Sequence, residues 1–144
     1  LITKAAEAFG SQSIVASIDA KKTKNGYQCV INDGQELTEK KPVELAKEAE
    51  RLGAGEIIIN SIDQDGMMQG YDIELVRSVA DAVKIPVTAI GGAGGIQDLK
   101  KVLDEGHAHA AAGGSMFVYY GRLKAVLITA PSEKELKRAD IYKI

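Results

Sequence analysis

The sequence predicts an α/β fold: four βα units forming (βα)4, one half of an eight-stranded (βα)8 barrel of the TIM type, with parallel strands and outer helices. Three observations predict it. Short β-branched runs alternate with amphipathic segments along the chain. No glycine- or serine-rich linker divides it. Its 144 residues are about half of the roughly 250 that a complete barrel needs. An open flavodoxin-like sheet also alternates in this way. The helical pattern ahead of the first strand favours the half-barrel, because such a helix would follow a strand that this chain does not hold. On that reading, further sequence precedes Leu1, which is not an initiator methionine.

Ile2, Ala5, Ala6 and Phe9 recur at helical spacing and Gly10 follows as a cap, so residues 1–10 form a helix before the first strand. Residues 13–19 are a β-branched strand, 21–25 a basic loop, and 27–31 a short segment that can pair before Asp33-Gly34 turns the chain. Residues 42–52 are a helix opened by Pro42 and closed by Gly53. Residues 56–62 hold Ile57, Ile58 and Ile59 in succession, as suits a parallel strand covered on both faces. A helix over 72–83 with Asp72 as N-cap, a strand over 86–90, a helix over 96–105 and a small-residue strand over 108–112 follow. A fourth helix is expected at 123–128, then a polar tail over 132–144, and the whole reads as a single domain.

Composition narrows the function classes. Apolar residues make up 45% and the net charge is −2, which provides a core and argues against a nucleic-acid arm or a polybasic membrane patch. Cys29 is the one cysteine, so neither a disulfide framework nor a cysteine-based zinc site is available. With no long apolar run and no signal peptide in view, the expected location is cytoplasmic.

The strand ends carry the chemistry. Ser17-Ile18-Asp19 closes one strand and Ser61-Ile62-Asp63 the next, followed by Gln64-Asp65-Gly66. The third strand runs into Gly91-Gly92-Ala93-Gly94-Gly95 and the fourth into Gly113-Gly114-Ser115. In barrels, binding and catalytic groups come from these C-terminal strand ends, with phosphate near the last two. Unobstructed backbone N–H groups at a helix start suit an anion, although glycines also simply permit tight turns. Asp19, beside Lys21 and Lys22, is a candidate acid or base. Of Asp63 and Asp65, one braces the loop and the other reaches the site; the residues alone do not say which. His107 and His109 flank a strand start on the opposite face and lack metal-ligand spacing, so they read as structural. Lys21, Lys22 and Lys24 read as a solvated loop with a possible clamp at Lys21. Cys29 reads as inert, Met67 and Met68 as loop cover, and Tyr119 and Tyr120 as packing or interface residues.

At Phe9-Gly10-Ser11-Gln12, Ser17-Ile18-Asp19-Ala20-Lys21, Gly53-Ala54-Gly55-Glu56, residues 61–66 with Gly70-Tyr71-Asp72, and Gly91-Gly92-Ala93-Gly94, the sequence resembles the C-terminal half of the cyclase subunit of imidazole glycerol phosphate synthase. That family is a (βα)8 barrel of two similar halves. The resemblance implies a lyase of histidine biosynthesis that takes ammonia from a partner glutaminase. It cleaves and cyclises a phosphorylated ribulosyl-aminoimidazole carboxamide nucleotide. The two acid–base aspartates come one from each half, and the one in this half falls on Asp19. Asp65 would stand at the active-site rim, with the distal phosphate on Gly66, Gly91, Gly92, Gly114 and Ser115. No metal or organic cofactor is implied, and this half alone would be inactive.

Three departures bear on the substrate. The first-half aspartate and phosphate ligands lie outside this chain. Ile90 stands where the family usually has a small hydroxyl residue, and Asn60 where threonine is common. The stretch 117–124 resembles a paralogous branch found with surface-polysaccharide genes, which implies an acetamidino-sugar product instead. A different class is a non-catalytic phosphate-binding scaffold that self-associates, since a half-barrel leaves unpaired edges and an uncovered sheet face. Either an N-terminal half-barrel or a second copy would cover that face. The isomerase one step earlier in histidine synthesis would not be expected to share the Ser-Ile-Asp-x-Asp-Gly string.

Overall fold

The computed structural model of the protein describes residues 1–121 and 123–141. Helix α1 (Ile2–Phe9) ends at Gly10, whose N–H reaches Ala6 O, and a single 3-10 turn (Ser11–Ser13) leads into the sheet. The sheet strands are β1 (Val15–Thr23), β2 (Gly26–Ile31), β3 (Glu36–Leu37), β4 (Glu56–Ser61), β5 (Val87–Ile90) and β6 (Ala110–Ala111). Helices α2 (Pro42–Leu52), α3 (Ile73–Ala80) and α4 (Ile96–Asp104) connect the parallel strands. Then come α5 (Ser115–Val118), a hairpin of β7 (Tyr119–Tyr120) with β8 (Ala125–Val126), and α6 (Glu133–Arg138).

Strand order decides the architecture. The sheet runs β3-β2-β1-β4-β5-β6, with β1, β4, β5 and β6 parallel. Each parallel strand is therefore laid down beside its predecessor, always on the same side. Right-handed crossovers wound in one direction place every helix on one face, and α1, α2, α3 and α4 touch in succession. A flavodoxin-like sheet reverses direction once and carries helices on both faces. This one does not reverse, so the fold is the (βα)4 half-barrel.

Alternation along the strands shows the two faces. Ile18, Ala20, Ile57, Ile59, Val87 and Ala89 are buried under the helices, against Leu75, Val76, Val79, Leu99 and Val102. Val15, Ser17, Asp19, Glu56, Ile58, Asn60, Thr88 and Ile90 occupy the other parity and are half-buried or exposed. The three consecutive isoleucines thus split, Ile57 and Ile59 under the helices and Ile58 on the open inner face. Parallel register sets Ser17, Ile58 and Thr88 side by side, and one layer higher Asp19, Asn60 and Ile90.

Several sequence expectations change. The basic loop expected over 21–25 is confined to Lys24 and Asn25. Strand β1 runs on to Thr23 and turns at Lys24-Asn25 into β2, so Asp19 pairs with Asn60 on one edge and with Val30 on the other. The β-branched Thr23 suits the extension, and Gly26 (φ 93°) takes the strained backbone position. The expected helix at 123–128 is instead the β7–β8 hairpin: Ala125, Val126, Leu127 and Ile128 form a continuous apolar run without helical period, and the turn holds Gly121 and Lys124 at positive φ. The tail contains α6, capped reciprocally by Ser132 and Glu135. Arg122 within the 117–124 stretch, and the tail's residues 142–144, lie outside the described residues.

Asp72 caps α3 by accepting from Leu75 N. The neighbouring Tyr71 is buried, and its hydroxyl donates to Ala112 O at 2.7 Å, tying the β4–α3 loop to the end of β6. Burial pushes the Tyr71 phenol up to about 12. Since the folded value lies above the unfolded one, this stabilisation is complete below the unfolded value of 10.0 and fades as pH rises through about 12. Tyr71→Phe is expected to cost about 1 kcal/mol at neutral pH. In urea titrations the gap between variant and parent should narrow across that alkaline window.

Candidate active site at the strand ends

The β4–α3 loop lies flat on the β5–α4 loop. Gly70 N donates to Gly92 O at 2.8 Å. A Cβ on Gly92 would stand 2.1 Å from Gly70 O, and one on Gly94 2.4 Å from Met68 O. Gly91 and Gly92 also hold φ of 90° and 110°. These glycines are required by loop packing and backbone conformation. At Gly66, Gly95 and Gly114, by contrast, a Cβ would meet nothing within 4 Å.

Between these loops and the turn after β6 is a cavity of about 130 Å³, lined by Asp65, Gly66, Met68, Ile90, Gly91, Gly92, Ala93, Gly113, Gly114 and Ser115. Six of the sequence candidates, Asp65, Gly66, Gly91, Gly92, Gly114 and Ser115, therefore share one wall. The two others do not. Asp19 lines a separate, mostly apolar cavity of about 350 Å³ beside Cys29, Val30, Thr38 and Lys40. Lys21, on the same side of β1 as Asp19, is half-exposed with its Nζ 4.0 Å from Asp63 Oδ1.

The two loop carboxylates have different surroundings. Asp63 Oδ2 accepts from Lys22 N at 2.9 Å, so this residue fastens the extended β1 to the loop. Asp65 lines the cavity. Asp19 Oδ1 accepts from Asn60 Nδ2 at 3.0 Å in a half-buried setting. Lys22 pairs with Glu74 at 2.7 Å, and that contact raises the lysine and lowers the carboxyl from their ordinary values. Tyr27 donates to Asp72 at 2.8 Å, and burial first, then this bond, holds its hydroxyl protonated far above the usual range.

Three features escaped the sequence reading. Asp98 Oδ2 accepts from Gly94 N at 2.9 Å and Gly95 N at 3.0 Å, so the start of α4 already has its own carboxylate. Two of the backbone N–H groups expected to be free for an anion at the head of that helix are thereby already taken. The signal was legible: an acid three residues after Gly95 is the spacing of a capping residue. Tyr71 gave no such signal, because its partner is a backbone carbonyl 41 residues away. Nor did Asn60, whose partner is set by strand register.

The remaining candidates have structural surroundings. His107 Nδ1 lies 2.6 Å from Asp81 Oδ1, and Val87 N donates to His109 Nδ1 at 3.3 Å. Cys29 is buried, which pushes its thiol up to about 11. Among the described residues no cluster of three His, Cys, Asp or Glu is placed to hold a metal ion, and no helix is long and apolar enough to cross a membrane.

A singly wound parallel sheet with a glycine-walled cavity at its C-terminal strand ends defines a protein of the (βα)-barrel class. Residues 1–124 match the family described as "Histidine biosynthesis protein", and the chain belongs to that family. It is 49% identical over 122 residues to the imidazole glycerol phosphate synthase subunit HisF of Dehalococcoides mccartyi, covering 85% of this chain and 48% of that protein. A protein provisionally given the same name in Leptospira borgpetersenii is 45% identical over 134 residues, covering 92% of this chain and 53% of its own length. The chain spans about half the length of the curated relatives it matches.

The two kinds of glycine separate in a stability assay. Gly92→Ala is expected to lose at least about 2 kcal/mol, from strained φ and backbone overlap. Gly114→Ala, facing open space, should stay within about 0.5 kcal/mol of the parent by chemical denaturation.

Proposed function

We propose that this chain is the C-terminal half-barrel, a single domain, of the cyclase subunit of an imidazole glycerol phosphate synthase. The observation that carries the reading is that a chain of the histidine-biosynthesis family places Asp19 on the inner sheet face, in the last layer below the strand-end loops. There Asp19 acts as general acid and base, moving a proton on the ribulosyl-aminoimidazole carboxamide nucleotide as ammonia enters and the imidazole ring closes. A second aspartate from the other half-barrel completes the acid–base pair, so this half alone is inactive. Asp65 assists from the rim. The distal phosphate sits in the cavity walled by Gly66, Gly91, Gly92, Gly114 and Ser115, and Lys21 adds positive charge on the approach.

The reading entails a glutaminase partner supplying ammonia, a cytoplasmic location, and an N-terminal half-barrel covering the open face. It needs no metal or organic cofactor. The relatives' names support an imidazole product over an acetamidino sugar, and an enzyme over a self-associating scaffold.

The test is turnover of the carboxamide nucleotide by the full-length natural protein, driven by ammonium salt without glutaminase. Asp19→Asn is expected to lower kcat by about 10²- to 10⁴-fold with an unchanged circular dichroism spectrum. Full activity in that variant removes Asp19 from the chemistry. A folded parent that binds a phosphate-bearing ligand yet turns nothing over contradicts the assigned reaction.

A further inference from the structure

We infer that Asn60 is a positioning residue that holds the Asp19 carboxylate in its working orientation. This rests on the reading of Asp19 as acid and base. The parallel register sets Asn60 directly beside Asp19, both on the inner face. Adjacent strands lie about 4.8 Å apart, so the two short side chains meet, with Nδ2 donating to Asp19 Oδ1 at 3.0 Å. This is the one hydrogen bond to the Asp19 side chain among the described residues; the other carboxylate oxygen is left for a proton.

The amide has one orientation open to it. Reversed, its carbonyl oxygen would face a carboxylate oxygen, a repulsive contact. In the observed orientation Oδ1 is buried with no hydrogen-bond partner among the described residues. It lies where Gly91 has no side chain: a Cβ there would stand 2.7 Å from Oδ1 and 2.8 Å from Ser61 O. An orphaned buried acceptor is destabilising. A pairing that served packing alone would satisfy both ends of the amide, or use an apolar residue. Here the unsatisfied end is the consequence of keeping the N–H on Asp19. Gly91 thereby gains a role beyond turn geometry, leaving room for the amide oxygen on a φ of 90° that few other residues adopt.

The layer also explains why this task falls to Asn60. Its neighbour on the far side is Ile90, which has no donor to offer. Asn60 is thus the one residue of the Asp19–Asn60–Ile90 row that can orient the carboxylate.

The experiment replaces Asn60 with the near-isosteric leucine in the full-length natural protein and measures ammonium-driven turnover together with Tm. Asn60→Leu removes the donor and the orphaned acceptor together. The expected result is a kcat lower by on the order of tenfold to a hundredfold, a KM for the nucleotide within about twofold, and a Tm that does not fall. Asn60→Ala, which adds no bulk near Gly91, should show the same split between kcat and KM. A parent-like kcat in either folded variant overturns the inference, as does a kcat loss matched by an equal rise in KM. The Asp19→Asn variant separates the two failures. If it is inactive while Asn60→Leu is fully active, the positioning role fails and the acid–base reading stands; if it is fully active, the acid–base reading itself fails.

Discussion

At the C-terminal end of the sheet, two backbone stretches lie against each other with no room for a side chain between them. Gly92 meets Gly70 and Gly94 meets Met68 at distances that even a methyl group would violate. This contact fixes the β4–α3 loop over the β5–α4 loop, and with it the position of Asp65 relative to the glycine wall. Tyr71 extends the constraint by tying the same loop to the end of β6. Three strand ends are thereby locked into one rim. The rim owes its rigidity to backbone and buried phenol rather than to exposed ion pairs, which contribute little in water.

The sheet supplies the other half of the arrangement. Winding in one direction puts all connecting helices on one side and leaves alternate residues of every strand on a bare inner face. On the covered side the fully buried residues are aliphatic; on the bare side Ser17, Asp19, Asn60 and Thr88 are mixed with Ile58 and Ile90. A polar inner row can be kept only where it will meet a ligand, water or the remainder of a barrel. Thr88 and Glu56 satisfy each other at 2.6 Å near the opposite end, whereas Asp19 and Asn60 leave polar atoms unused at the loop end. That asymmetry along one sheet face leaves unpaired polar atoms at the top of the strands.

Much of this was legible in the residues. The helix opened by Pro42 and closed by Gly53, and the cap at Asp72, were found where propensity and capping predict them. The half-barrel followed from alternation, and the glycine turns mark the cavity. What could not be read depends on register or on distant backbone. The extension of β1 past Asp19 requires β2 to fold back on it, which Lys21 and Lys22 do not announce. The β7–β8 hairpin cannot be told from a helix in the sequence, because four apolar residues in a row fit either structure. Asp98 is masked in the sequence by the glycines beside it, which account for a tight turn on their own. The bond between Asn60 and Asp19 spans 41 residues and exists through strand pairing alone.

On the proposed reading, the rim formed by these loops is one anion-binding cavity serving the sheet's inner face. Amide-resolved NMR of the full-length natural protein, titrated with inorganic phosphate, tests it most directly. The expected result is saturable shifts centred on Gly66, Ala93, Gly114 and Ser115, with Gly94 and Gly95 moving less because Asp98 already holds them. Saturable shifts centred elsewhere, or none at these residues, would contradict it.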